Sequence, residues 1–189
     1  MKVSEWNERY LSREQTDDFD PTPTPLLIEA ARDLPPGRAL DLACGTGRNA
    51  LWLAEQGWST VAVDGSAAAI DTLRRQAHLR QLKVDSRVAD LARNEFPIFE
   101  QHWDLILLSY YLQRALFEPV KRGVAFGGIV IAIAHIIRPG EDPTENRLVP
   151  GELETFFRGW VILQRYEGDS RDPVHKRPVA EIVAQRPGN

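Results

Sequence analysis

A single cysteine, Cys44, stands among 189 residues, so no internal disulfide can form and nothing marks an oxidising compartment. Long apolar runs are also missing. The longest candidate, "GGIVIAIAHII", is about half of the roughly 20 residues a membrane helix needs, and it carries a histidine. The opening stretch "MKVSEWNERYLSREQTDD" mixes charge with aromatics and lacks the apolar core of a secretory signal, so a cytoplasmic location is expected. Basic residues are in no surplus: 23 Lys and Arg face 27 Asp and Glu, a formal net charge of −4. That balance argues against a broad nucleic-acid footprint, which draws on clustered cations. The basic segment "LRRQAHLRQLK", with Arg74, Arg75, Arg80 and Lys83, reads as a solvated helix face. Internal repeats are absent, no metal site is expected, and the one biased tract is "DFDPTPTPLL".

What remains is an ordinary globular composition, 43% hydrophobic and 26% charged, of a length suited to one domain. We expect a single domain over 1–189, with an N-terminal segment 1–25 and an α/β core over 26–189. Thr24 caps and Pro25 begins the helix "PLLIEAARDL", which "PPG" stops. From Arg38 short apolar runs alternate with helical patterns. "RALDLAC" is a strand and "GRNALWLAEQG" a helix with Leu51, Leu53 and Ala54 inward and Gly57 as its stop. "STVAVD" is the second strand, "SAAAIDTLRRQAHLRQL" a helix capped by Ser66, and "SRVAD" the third strand. "WDLILLS" and "GIVIAIAHI" are fully buried strands flanking "ALFEPVKRG", a helix interrupted by Pro119. After the short helix "PGELETFFRG" come the strands "WVILQRYEG" and "RPVAEIVAQ". Their link "DSRDPVHK" is too short for a helical crossover, so they pair antiparallel. The whole predicts a doubly wound, seven-stranded, mostly parallel sheet with an antiparallel C-terminal hairpin. Ligands of such sheets bind at the carboxyl ends of the strands, where the strand order reverses.

"ALDLACGTGRNALWLAEQGWSTVAVD" lies at such an end. Gly45, Gly47 and Ala50 match the loose G-x-G-x-x-[GA] of a dinucleotide loop, a weak signal alone. Asp41, four residues ahead of Gly45, changes the expected ligand. A carboxylate repels a pyrophosphate and attracts an ammonium. The loop suits a ligand that joins adenosine to an amine without phosphates, and S-adenosylmethionine meets that description.

On "PPGRALDLACGTGRNALWLAEQGWSTVAVDGS" the chain resembles the class I S-adenosylmethionine-dependent methyltransferases, in the branch of the bacterial tellurite-resistance enzymes and their small-molecule relatives. The resemblance runs from about Trp6 to Pro187, loosest between 94 and 125. It implies that Asp41 supports the loop near the methionyl amine, while the backbone of Ala43, Gly45 and Gly47 lets the cofactor approach. Arg48 would pair with the methionyl carboxylate and Asp64 would accept from both ribose hydroxyls. Asp90 would take the adenine amine, with the Leu91 amide against the ring, and Ser109 and Tyr110 would lie beside the sulfonium. His175 and Arg177, near the start of the last strand, would hold the acceptor; with Arg171 they would attract a small oxyanion. The N-terminal segment would fold over the site as a lid, with Trp6, Arg9 and Tyr10 facing the cofactor. Where the family has "LRPGG", this chain has "VAFGG" at 124–128, a change expected in a turn.

Methyl transfer from a sulfonium needs mainly collinear holding and exclusion of water, and no base if the acceptor arrives as an anion. The expected activity is therefore methylation of a small-molecule acceptor, yielding S-adenosylhomocysteine. "LSYYLQ" stands where amino-methylating DNA enzymes carry [DNS]-P-P-[YFW], and no Pro-Cys nucleophile is present. Cys44 reads as packing, His78 and His102 as surface, and His135 as a group able to orient an acceptor. Two alternatives remain open: an NAD(P)-dependent oxidoreductase built on Gly45, Gly47 and Ala50, and a non-catalytic S-adenosylmethionine sensor. Acceptor identity and oligomeric state are not encoded in these motifs.

Overall fold

The structure, a computed structural model, describes residues 2–14, 20–138 and 140–188, with residues 13 and 14 by backbone alone. In chain order the elements are α1 (Val3–Glu14), α2 (Pro25–Ala31), β1 (Arg38–Leu42), α3 (Arg48–Glu55), β2 (Ser59–Asp64), α4 (Ala67–Leu79), β3 (Val84–Val88), β4 (Trp103–Ser109), α5 (Phe117–Gly123), β5 (Val124–His135), α6 (Glu152–Thr155), β6 (Val161–Gly168) and β7 (Val179–Gln185). Single 3-10 turns lie at Leu91–Arg93 and Arg114–Leu116. Seven strands form the sheet in the order β3-β2-β1-β4-β5-β7-β6. No helix among the described residues is long and apolar enough to cross a membrane.

The chain divides into two compact units, Met1–Pro23 with Pro35–Pro97 and Thr24–Leu34 with Ile98–Asn189. In the first, β1 pairs parallel with β2 and β2 with β3. Such pairs require crossovers, which α3 and α4 supply. Leu40, Leu42, Ala62 and Val63 are wholly buried, as expected of strands covered on both faces. α3 buries Leu51 and Leu53 as its spacing predicts, but its inward face takes in Asn49 and Ala50 more than Ala54. Ser66 caps α4 by accepting from the Ala69 amide at 3.2 Å. The helix stops at Leu79, short of the expected end, because Gln81 turns left-handed at φ 57°. That leaves β3 to begin at Val84, ahead of "SRVAD".

In the second unit β4 and β5 are parallel, whereas β7 pairs antiparallel with both β5 and β6. Leu105, Ile106, Leu107, Val130 and Ile131 are fully enclosed. Two sequence expectations need correcting. Pro119 does not interrupt α5, because the helix begins only at Phe117 and the proline falls in the first turn, where its missing N–H costs nothing. "VAFGG" is no turn but a bulge inside β5. Val124 faces Trp103 and Ile129 faces Leu105, so 125–128 loop out between them. Gly128 is needed there, since a Cβ would stand 2.8 Å from the Asp104 carbonyl oxygen. Phe126, exposed on the bulge, is covered by the Arg186 guanidinium at 4.4 Å.

Arg171, in the link before β7, donates to both oxygens of Glu29 on α2 at 2.9 and 3.0 Å and to Glu181 on β7 at 2.6 Å. Glu181 is only 4% exposed, so this guanidinium compensates a buried carboxylate. The arrangement overturns the expectation that Arg171 attracts an anionic acceptor, because two carboxylates already claim its charge. Arg171→Leu should lower unfolding free energy by about 3 kcal/mol, since it strands Glu181 without a counter-ion. Urea denaturation measures this; a change under about 0.5 kcal/mol would contradict it.

Candidate functional site

β1 delivers Asp41 into the core one residue before the strand ends, and the loop that follows alternates left-handed residues: Ala43 (φ 55°), Gly45 (φ 56°) and Gly47 (φ 85°). Glycine bears this conformation without cost; Ala43 does not. At Gly47 a Cβ would lie 2.2 Å from Leu73 Cδ1, so the loop presses directly on α4. The Cys44 amide donates to the Val63 carbonyl at 3.0 Å, which fixes the loop against β2.

Asp64 at the end of β2 completes this anchoring. Its Oδ2 accepts from the Gly45 amide and its Oδ1 from the Ser66 amide, both at 2.8 Å. A carboxylate oxygen has two lone pairs, so each retains one acceptor position. Asp41 is different: it is 1% exposed, and its Oδ2 has no hydrogen-bond partner. Burial first, then the neighbouring Asp64 charge, raises its pKa to about 8, against the opposing pull of Arg48 and the Ala50 amide. A buried acid with an orphaned oxygen fits a cationic group that carries its own N–H donors. The residues present therefore fit the aminoacyl end of S-adenosylmethionine, whose ammonium Asp41 would favour and whose carboxylate Arg48 would meet, whereas the Asp41 carboxylate would repel a pyrophosphate. Burial also pushes the Cys44 thiol well up, so this cysteine is no nucleophile.

α1 packs on α4 and reaches the same loops. The Tyr10 hydroxyl sits 2.8 Å from where a Gly45 Cβ would be. Asn7 Oδ1 accepts from Ser66 Oγ at 2.9 Å and from the Ala68 amide at 3.0 Å, a second cap on α4. Trp6 stacks on Tyr10 and carries Arg9 at 5.2 Å, so the three aromatic and basic residues expected at the cofactor form one ridge of the helix. Residues 15–19 of the expected lid lie outside the described residues. Arg48, first in α3, donates to the Thr22 carbonyl at 3.2 Å. Asp90 Oδ1 caps the following 3-10 turn through the Ala92 amide at 2.9 Å. Ser109 ends β4, half-buried.

The second unit gathers a separate aromatic and imidazole cluster. Tyr110, directly after β4, is left-handed at φ 60°, a strained conformation for a bulky residue. Its amide donates to the Ile133 carbonyl at 2.7 Å and its hydroxyl to Asp172 Oδ2 at 3.1 Å. Asp172 is 2% exposed, and its Oδ1 accepts from the Val174 amide. His175 stacks face to face on Tyr110 with centroids 3.3 Å apart. His135, at the end of β5, tilts against both rings at 5.4 and 5.3 Å. Arg177 is half-exposed and meets Glu141 at 4.0 Å, a carboxylate that also pairs with Arg147. Asn7 and Asp172 escaped sequence reasoning: an Asn in a polar helix and an Asp beside Pro173 carry no local signal of what they meet in space.

The family model "Tellurite resistance protein TehB" matches residues 14–177. A curated relative from Haemophilus influenzae, "Probable S-adenosyl-L-methionine-dependent methyltransferase TehB", is 25% identical over 152 residues, 75% of this chain and 52% of the relative. "Hemagglutinin 1" of Eikenella corrodens is 38% identical over 179 residues, 86% of this chain and 59% of its own. The chain thus spans roughly half to three-fifths of the length of these relatives. Among solved structures, TehB from Haemophilus influenzae superimposes with a TM-score of 0.72 at 22% identity, covering 85% of this chain and 61% of that one. At that identity the match establishes the fold.

The protonation of Asp41 has a measurable consequence. Folded Asp41 holds a proton that the unfolded chain has lost, so its contribution to stability is complete below the ordinary carboxylate range and disappears as pH rises to about 8. Asp64, also shifted upward by burial, acts in the same direction. Without added ligand, Asp41's share of this fall should be at most about 1.4 kcal/mol per pH unit, and Asp41→Asn should remove that share and flatten the fall. Denaturation midpoints from pH 5 to 8 test this; an Asn variant with an unchanged slope would refute it.

Proposed function

Because the chain belongs to the TehB tellurite-resistance family, we propose that it is an S-adenosylmethionine-dependent methyltransferase acting on a small-molecule acceptor. The observation that carries the reading is the orphaned, buried oxygen of Asp41 beside a loop of left-handed residues that Asp64 pins. Bound there, S-adenosylmethionine supplies an electrophilic methyl group on a good leaving group. The chain's own part is to hold and to desolvate. In this reading Asp41 receives the methionyl ammonium and becomes ionised, while Arg48 meets the carboxylate. Asp64 offers its remaining lone pairs to the ribose hydroxyls, and Asp90 with the Leu91 amide takes the adenine. The Ala43, Gly45 and Gly47 backbone lines the approach, and Ser109 adjoins the reacting end. On the acceptor side Tyr110 and His175 form a flat aromatic wall, and Arg177, more weakly paired than Arg171, draws an anionic substituent. A net charge of −4 favours a small acceptor over a nucleic acid.

Calorimetry should show binding of S-adenosylmethionine and S-adenosylhomocysteine and none of NADH; tight NADH binding alone would restore the oxidoreductase alternative. Asp64→Asn should weaken S-adenosylhomocysteine by about tenfold or more, as expected when a charged acceptor is lost. With labelled donor and a panel of thiols, halides, selenite and tellurite, product formation separates an enzyme from a sensor. Arg177→Ala should raise the KM of whichever acceptor reacts and leave donor affinity unchanged. Equal loss of both would remove Arg177 from the acceptor side.

A further inference from the structure

The cluster around Tyr110 is more elaborate than an anionic acceptor requires, and His135 is its least explained member. The His135 ring lies 3.4 Å through Nδ1 from the Pro178 carbonyl oxygen, which also accepts from the Ile136 amide. A carbonyl can only accept, so Nδ1 carries the hydrogen, and in the neutral ring the lone pair then lies on Nε2. The backbone around the ring is fixed: the His135 carbonyl takes the Leu148 amide at 2.9 Å, and the residue sits opposite Val179 in the β5–β7 ladder. The tautomer is thus imposed by the strand pairing.

The surroundings favour the neutral ring. Half-burial is the largest cause of its lowered pKa, outweighing the opposing hydrogen bond to Pro178, and the Arg177 and Arg147 guanidinium groups add to it. Tyr110, just past β4, and His175, in the β6–β7 link, face it, and the carboxylate of Asp172 accepts from the Tyr110 hydroxyl. Glu141 pairs with both Arg147 and Arg177 as their counter-ion. A neutral imidazole with its lone pair on Nε2, beside an aromatic wall, is equipped to take a proton.

We propose that His135 is the general base of the reaction and that the acceptor is a small thiol, lodged against the Tyr110–His175 stack, whose proton passes to His135 Nε2. The inference rests on the methyltransferase reading above. The thiol S–H bond breaks with its proton on Nε2, and the freed electron pair bonds to the transferred methyl carbon. That carbon's bond to the donor sulfur breaks with its pair going to that sulfur, so two neutral thioethers and an imidazolium result. Thiols match the base: with a pKa of about 8.5 they are mostly protonated at neutral pH, yet close enough to imidazole for efficient transfer. An oxyanion already ionised would gain nothing from His135.

Two measurements test it. Nitrogen-15 NMR of histidine-labelled protein, with His135 assigned by its absence in His135→Gln, should show the neutral Nδ1–H tautomer at neutral pH. An Nε2–H tautomer or a protonated ring would overturn the proposal whatever the activity. With labelled donor and 2-mercaptoethanol as probe, kcat/KM should fall on the acid side with the His135 pKa. His135→Gln should lose that limb and about 100-fold or more in kcat, with donor affinity by calorimetry unchanged. Retained thiol turnover in His135→Gln, loss of the limb only in His175→Gln, or methylation of selenite but not of the thiol would each overturn it. Absence of donor binding would instead remove the methyltransferase reading, so the two failures are distinguishable.

Discussion

The first unit hangs on one carboxylate. Asp64 accepts an amide from Gly45 in the loop after β1 and another from Ser66 at the head of α4, so a single side chain sets the spacing of two loops. Much follows from that placement. With its amide held, Ser66 is free to cap α4 through its hydroxyl oxygen and to donate its proton to Asn7, which seats α1. The negative charge needed for this also raises the neighbouring Asp41 further, which burial has already made a reluctant anion. One acid is structural in the folded chain, and its presence keeps the other poised for a cation.

The second unit repeats the device with different partners. Asp172 spends one oxygen on the Val174 amide, which shapes the link between β6 and β7, and the other on the Tyr110 hydroxyl. The strain of left-handed Tyr110 is held there by the Ile133 carbonyl at one end and Asp172 at the other. Next door, Arg171 is drawn away by Glu29 and Glu181, so the positive charge that sequence alone would assign to the acceptor is partly cancelled by the fold.

Local rules made the strands legible. "STVAVD" and "WDLILLS" are the observed β2 and β4, because unbroken apolar runs bounded by polar residues admit few alternatives. The antiparallel hairpin followed from the length of its link. Pairing within β5 was not legible: the bulge at "VAFGG" depends on the register against β4, which no one-strand pattern contains. Of the site, Asp41 and Asp64 stood out because an acid beside a glycine loop has a chemical meaning. His135 was legible as a group at a strand end, but its tautomer, like the roles of Asn7 and Asp172, comes only from neighbours 40 or more residues away in the chain: Pro178, Ser66 and Tyr110.

The link between β6 and β7 bears on how this protein could change over time. It brings Asp172 and His175 to Tyr110, yet both its ends are secured by an antiparallel ladder that tolerates insertions at its turn. None of the residues assigned to the donor lies in it. Under the proposed function, lengthening or recomposing this one hairpin would change the acceptor side and leave the proposed donor residues in place. Such drift is confined to the positions of the link other than Arg171 and Asp172, whose contacts with Glu29, Glu181 and Tyr110 hold the unit together.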